Sequence, residues 1–96
     1  MFKRLCLIIL ASVALPLAAQ LVTAPPQDRL KLAIQMLKNG MYEDARREFE
    51  AIRNANGVPR DEVLYRLGDV YRVLKRPEAA MNCYAEMISA KPDSRY

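Results

Sequence analysis

Residues 64–84 have the sequence LYRLGDVYRVLKRPEAAMNCY, and their pattern predicts two helices joined by a short turn. Leu67 and Tyr71 are four residues apart, which places them on one face of the first helix. Pro77 suits the first turn of the second helix, because proline lacks an N–H that this position would leave unsatisfied. The second helix is expected to continue to about Ala90.

An earlier segment, residues 28–57, has the same organisation. Its stretch DRLKLAIQMLKNG has apolar residues at helical spacing and ends at Gly40, a typical helix stop. A further helix fits Tyr42 to about Asn54, with acidic residues at its N-terminus. Short connections between helices favour antiparallel neighbours, so the sequence predicts an all-α fold of four helices.

One helix pair is an approximate copy of the other. A displacement of 35 residues aligns apolar with apolar and small with small positions along both pairs. Small residues allow the two helices of a pair to approach closely, and a large aromatic residue fills the space beside them. The aligned residues are Leu32 and Leu67, Ala33 and Gly68, Met36 and Tyr71, Ala45 and Ala80, Phe49 and Tyr84, and Ile52 and Met87.

The second copy contains a recognisable motif, which is Leu64-x2-Leu67-Gly68-x2-Tyr71, then Ala80-x3-Tyr84 and Pro92. This motif resembles the tetratricopeptide repeat, and the first copy fits the pattern more loosely. The resemblance implies an α-solenoid of two tetratricopeptide-like helix-turn-helix repeats, at residues 28–57 and 61–92, followed by a tail at residues 93–96.

Members of this family hold peptides or partner helices in a concave groove lined by the first helix of each repeat. The resemblance therefore implies a protein-interaction scaffold, whose partner would be an extended peptide with apolar and acidic features. Two alternatives stay open from the residues alone: some groove positions could contact the N-terminal linker, and others could form only surface ion pairs. The implied groove residues are Leu30, Lys31, Ile34, Lys38, Tyr65, Arg66, Asp69 and Arg72.

The fourth helix is more apolar than the second. It has Met81, Cys83 and Ile88 at positions where the second helix has charged side chains. This pattern predicts an uncovered helix face, and with it a second function, that of a structural subunit which associates with itself or with another helical protein. The alternative is that Met81 and Cys83 pack within the pair. The residues of the predicted face are Met81, Cys83, Met87 and Ile88.

Residues 1–19, MFKRLCLIILASVALPLAA, have the layout of a secretory signal peptide, with a basic start, an apolar stretch and small residues at the end. Cleavage is expected after Ala19 or Ala18, and residues 20–27 would form a linker. The alternative is an uncleaved anchor over residues 5–24. Both place the helices outside the cytoplasm, in the periplasm or secreted.

Cys6 lies at the start of the apolar stretch, which does not fit a lipid-anchored protein. The closing KPDSRY gives a weaker resemblance to periplasmic repeat proteins, such as the Tol-Pal-associated division coordinator and the outer-membrane assembly lipoproteins. Together with the export signal, this resemblance implies a scaffold of the bacterial cell envelope.

Composition argues against several other functions. The chain has no histidine, no glycine-rich phosphate loop and no metal-ligand motif, so we expect neither an enzyme, a metal site nor a cofactor. The net charge is +4, and the basic residues are interleaved with acidic ones, so a nucleic-acid partner is not expected. The expected partner is a protein or peptide, with a homo-oligomer as the other possibility.

Overall fold

The computed structural model describes residues 24–96, which form four α-helices. α1 spans Pro26–Lys38, α2 Tyr42–Ile52, α3 Arg60–Val73 and α4 Pro77–Ala90. Each helix packs against the next along the chain, and residues 24–96 contain no β-strand. The predicted all-α class is therefore confirmed. The predicted signal peptide at residues 1–19 and Cys6 lie outside the described residues, as do the alternative anchor and the predicted linker up to residue 23.

Two helix boundaries differ from the prediction. α1 begins at Pro26, inside the predicted linker, because proline fits the first helical turn and the carbonyl of Pro25 accepts the first helical hydrogen bonds. α2 ends at Ile52 rather than at Asn54. The backbone leaves this helix through a bond from the Ala55 N–H to the carbonyl three residues earlier, which tightens the last turn.

The two hairpin turns have the same geometry. After α1, Gly40 has a φ of 76°, and the N–H of Met41 donates to the carbonyl of Met36 over 2.9 Å. After α3, Lys75 has a φ of 60°, and the N–H of Arg76 donates to the carbonyl of Tyr71 over 2.8 Å. This left-handed helix end satisfies carbonyl groups that would otherwise lack partners. The internal repeat thus extends to the turns, although one turn uses a lysine in place of glycine.

A single hydrophobic core runs through both helix pairs. Its residues come from all four helices, and half-buried side chains such as Ile34, Leu37 and Tyr71 pack around it. Because α2 and α3 contribute to this core together, the two pairs are joined by buried apolar contacts rather than by a linker. The buried core residues are Leu30, Ala33, Ala45, Phe49, Ile52, Val63, Leu67, Val70 and Cys83.

The small and large positions of the repeat meet as predicted. A Cβ atom placed on Gly68 would lie 2.5 Å from Cε1 of Tyr84, which is closer than any real contact. In the first pair the equivalent residues are Ala33 and Phe49, and both are fully buried. The close approach of α3 and α4 therefore depends on the missing side chain at Gly68.

Candidate functional site

The four groove positions predicted on α1 have two different environments. Lys31 and Lys38 are exposed and seven residues apart, so they lie on the same outward face of the helix. Ile34 is half-buried and packs against the core. Leu30 differs from the prediction, because it is 8% exposed and belongs to the core itself. It is not available to a partner.

The groove positions predicted on α3 contact one another only in part. Tyr65 lies between two aromatic rings, with centroid distances of 6.3 Å to Tyr84 and 5.0 Å to Tyr96. Arg66 instead pairs with Glu62 one turn earlier, at 3.1 Å. Tyr65 thus contacts α4 and the C-terminal tail, whereas Arg66 forms an ion pair within α3.

Asp69 and Arg72 belong to the same side of α3 as Tyr65. Their side chains are 3.4 Å apart, and the side chain of Arg72 is 71% exposed. Asp69 also accepts a hydrogen bond from the hydroxyl of Tyr84. Burial and this carboxylate raise the pKa of Tyr84 to about 12, because both disfavour the phenolate. Tyr84 is therefore a neutral hydrogen-bond donor at ordinary pH.

The C-terminal tail folds back onto the start of α3. Ser94 donates a hydrogen bond to the buried carboxylate of Asp61 over 2.7 Å, and Lys91 lies 3.7 Å from the same group. The hydrogen bond from Ser94 holds the pKa of Asp61 below its ordinary value, despite the opposing effect of burial. The hydroxyl of Tyr96 lies 3.2 Å from Glu62. A cleft of about 390 Å³ lies between the tail and α3.

This tail contact was not predicted. Asp61 lies in the first turn of α3 and Ser94 in the C-terminal tail, and no pattern in the sequence joins these two residues. They are 33 residues apart, so only the fold brings them together.

The face predicted to be uncovered on α4 is only half present. Met81 and Ile88 are 68% and 59% exposed, as predicted. Cys83 and Met87 are buried, which corrects the prediction for these two residues. Both lie on the same side of α4 as Ala80, which faces the core. Burial also raises the pKa of the Cys83 thiol, so this side chain stays protonated.

Charged side chains connect the two helix pairs. Arg53 of α2 lies 2.6 Å from Glu86 of α4 and 3.1 Å from Glu50, and Arg60 also contacts Glu86 at 2.8 Å. Tyr71 of α3 donates its hydroxyl hydrogen to Glu50 over 2.7 Å. Because these groups come from α2, α3 and α4, they form polar contacts between the first and the second pair.

A metal-binding cluster and a membrane-spanning helix are both absent from residues 24–96. This part of the chain holds no group of three or more His, Cys, Asp or Glu side chains placed to bind a metal ion. None of its helices combines the length and the apolar character needed to cross a membrane.

The comparisons with known proteins agree with the repeat pattern. The Tetratricopeptide repeat family model matches residues 62–94, which cover nearly all of α3, the whole of α4 and the start of the tail. No curated protein and no solved structure matches the chain. The resemblance to particular periplasmic proteins stays a prediction. Over these residues, the second helix pair is similar to a tetratricopeptide repeat.

Proposed function

We propose that the chain is an interaction scaffold that binds a peptide on the outward face of α1 and α3. Tetratricopeptide repeats are in general protein-interaction modules, and the matched family supports this role for the chain. Two lysines on α1 indicate which chemical groups this face would bind. Lys31 and Lys38 are exposed on one face of α1, and neither takes part in the ion pairs formed among residues 24–96.

The proposed partner is an extended peptide with acidic and apolar residues. Two lysine ammonium groups on one helix face favour carboxylates of a partner, and the half-buried Ile34 between them offers an apolar contact. On α3 the position equivalent to Lys38 is Val73, which is 49% exposed. The outward face therefore combines positive charge on α1 with an aliphatic side chain on α3.

A defined binding assay tests the proposal. The purified chain is titrated into a library of labelled acidic peptides that contain aliphatic residues, and the tightest peptide is then measured against variants. Lys31→Glu with Lys38→Glu should weaken its binding by about tenfold or more, because two attractive contacts become repulsive. Arg47→Glu with Arg76→Glu makes the same change of charge on α2 and at the start of α4, outside the proposed face, and should have little effect.

Residues of α3 provide the second arm of this assay. Tyr65→Ala with Arg72→Glu should also weaken binding if the peptide crosses both helices. Undiminished binding by this variant and by the lysine variant would remove the outward face from the proposal. Raised salt should weaken binding to the wild-type chain, since exposed charges are screened.

We also propose that this scaffold works outside the cytoplasm, in the cell envelope of a bacterium. The layout of residues 1–19 supports the proposal, with Lys3 and Arg4 before an apolar stretch. Fusing a reporter that is active only after export behind Tyr96 tests it, and mass spectrometry of the N-terminus separates cleavage after Ala18 or Ala19 from an uncleaved anchor. Reporter activity lost on deleting residues 1–19 is the expected result, and an inactive fusion would contradict it.

A further inference from the structure

α4 carries a stripe of apolar side chains on the side that faces away from the first helix pair. Met81, Tyr84 and Ile88 are spaced by three and four residues, which aligns them along one side of the helix. Met81 and Ile88 are largely exposed, and Tyr84 is half-buried between them. The opposite side of α4 contacts α2 through Glu86 and Arg53. We call Met81, Tyr84 and Ile88 the α4 stripe.

In the first helix pair, the side of α2 that is equivalent to this stripe is covered by another helix. The displacement of 35 residues places Phe49 of α2 at the position of Tyr84, and Phe49 is fully buried. The helix that packs there is α3, whose Val63, Leu67 and Val70 belong to the same core cluster as Phe49. The fold itself therefore shows which kind of element covers this side of a helix pair: one helix with aliphatic residues at i, i+4 and i+7.

The α4 stripe is more apolar than the equivalent positions of α2. At the positions of Met81 and Ile88, α2 has Arg46 and Arg53, and both arginines form ion pairs with glutamates. A single exposed aliphatic residue is ordinary on a protein surface. On α4, Met81 and Ile88 replace the two ion-paired arginines of α2. They lie on the side of the helix pair that, in the first pair, packs against the next helix.

A second copy of the chain that stacks head to tail is a poor occupant. Head-to-tail stacking would place α1 of the next copy on α4, and α1 has Asp28 and Gln35 where α3 has Val63 and Val70. Asp28 and Gln35 are exposed in the chain. Their burial against Met81 would leave a carboxylate and an amide without partners, which is unfavourable. On this outer side of the first helix pair, the half-buried Leu32 thus lies between two polar residues.

We propose that the α4 stripe docks one amphipathic helix of another protein, with aliphatic residues at i, i+4 and i+7. This surface lies on α4, whereas the proposed peptide face lies on α1 and α3. The helix would pack on α4 as α3 packs on α2, antiparallel to it. Its C-terminus would then lie near Arg72 and Lys75, and these cations complement the negative end of a helix dipole.

A peptide with the sequence of α3 can serve as a probe for this docking. A labelled synthetic peptide with the sequence of residues 58–75 carries the α3 stripe and is titrated with the purified full chain, following fluorescence anisotropy. The matched control peptide has Val63→Asp and Val70→Gln, the residues of the polar α1 side. The first peptide should bind saturably, and the control peptide should bind at least about tenfold more weakly.

Two protein variants locate the binding. Met81→Arg with Ile88→Arg introduces the residues of α2 and should weaken peptide binding by about tenfold or more. Asn82→Arg with Ser89→Arg adds the same charge at the same spacing on another exposed side of α4 and should leave binding unchanged. Circular dichroism checks the fold, and Met81→Ser with Ile88→Ser serves as a second variant with no added charge.

Three results would overturn the proposal. The first is that the α3 peptide does not bind saturably. The second is that the wild-type chain and both stripe variants bind the peptide equally well. The third is that the wild-type chain forms a dimer which the stripe substitutions disrupt and the added peptide does not. The last result would identify a second copy as the occupant. Binding of the acidic peptide by the stripe variants reports on the outward face of α1 and α3 separately, so the two proposals can fail independently.

Discussion

Tyr84 donates its hydroxyl hydrogen to Asp69, and this hydrogen bond fixes the tyrosine ring against the backbone of Gly68. Gly68→Ala should therefore destabilise the fold. Overpacking a core costs about 1–3 kcal/mol, and alanine regains about 1 kcal/mol of helix propensity, so a net loss of about 1 kcal/mol is expected. Urea denaturation followed by circular dichroism measures this change in the free energy of unfolding.

The first helix pair provides the control for this substitution. It combines Ala33 with Phe49, a ring that has no hydroxyl group to hold it. Adding Tyr84→Phe to Gly68→Ala reproduces that combination and frees the ring to shift, so the double variant should recover part of the lost stability. A double variant that is less stable than the sum of the single changes would show that the ring is not held by Asp69.

The titration of Tyr84 tests the same contact in another way. Its pKa of about 12 in the fold lies above the ordinary value of 10. The neutral hydroxyl thus stabilises the fold at all pH values below 10, and this contribution is lost as the pH rises from 10 through 12. Burial and the hydrogen bond to Glu50 also raise the pKa of Tyr71, so ultraviolet titration should show late tyrosines in the folded chain and one fewer of them in Tyr84→Phe. A tyrosine titration identical in the two proteins would contradict the contact.

Lys75→Gly should stabilise the chain. Lys75 has a φ of 60°, a conformation that costs a residue with a side chain about 1 kcal/mol, whereas glycine adopts it freely. After allowing for the greater entropy of glycine in the unfolded chain, a gain of about 0.5 kcal/mol is expected. Gly40→Ala, at the equivalent turn, should have the opposite effect. Thermal denaturation measures whether each variant is more or less stable than the wild type. A loss of stability in Lys75→Gly would contradict the shared turn geometry.

Glu86→Gln should weaken the connection between the two helix pairs. The hydrogen bond from Arg53 lowers the pKa of Glu86 below its ordinary value of 4.5. The ion pair therefore stabilises the fold above pH 4.5, and this contribution is lost as the pH falls through the lowered pKa. Because the side chain of Glu86 is 33% exposed, water screens the pair, and the substitution should cost about 0.5–1 kcal/mol at neutral pH.

Asp44→Asn is the matched control for Glu86→Gln, since Asp44 pairs with Arg47 within α2 and both side chains are well exposed. It should change the free energy of unfolding by less than about 0.5 kcal/mol. Equal effects of the two substitutions would show that the pair between Arg53 and Glu86 does not connect the helix pairs.

Local patterns in the sequence predicted most of the fold. The spacing of apolar residues, the glycine at position 40 and the proline at position 77 depend on neighbours within a few residues, and such signals can be recognised without a structure. The internal repeat then predicted which helices form pairs. The start of α1 was placed too late, because Pro26 can open a helix as well as interrupt one.

The sites were harder to predict, since exposure depends on contacts distant in sequence. Leu30 was assigned to a surface, but its α1 position joins the core in the fold. Cys83 and Met87 were grouped with Met81 and Ile88 by apolar character alone, and helical geometry separates them. The contact of Ser94 with Asp61 connects a loop to a helix start, and no periodic pattern encodes such a pair.

The shared core of α2 and α3 has a consequence for how the chain unfolds. In stacked repeats, stability divides into the intrinsic stability of each repeat and the coupling between neighbours. Here Phe49 is fully buried and belongs to a cluster with residues of α3, so removing the second pair would expose the first pair's largest core side chain. We therefore expect the coupling between the two pairs to exceed the intrinsic stability of either pair. The two repeats should melt in one cooperative transition, and neither should persist as an isolated hairpin.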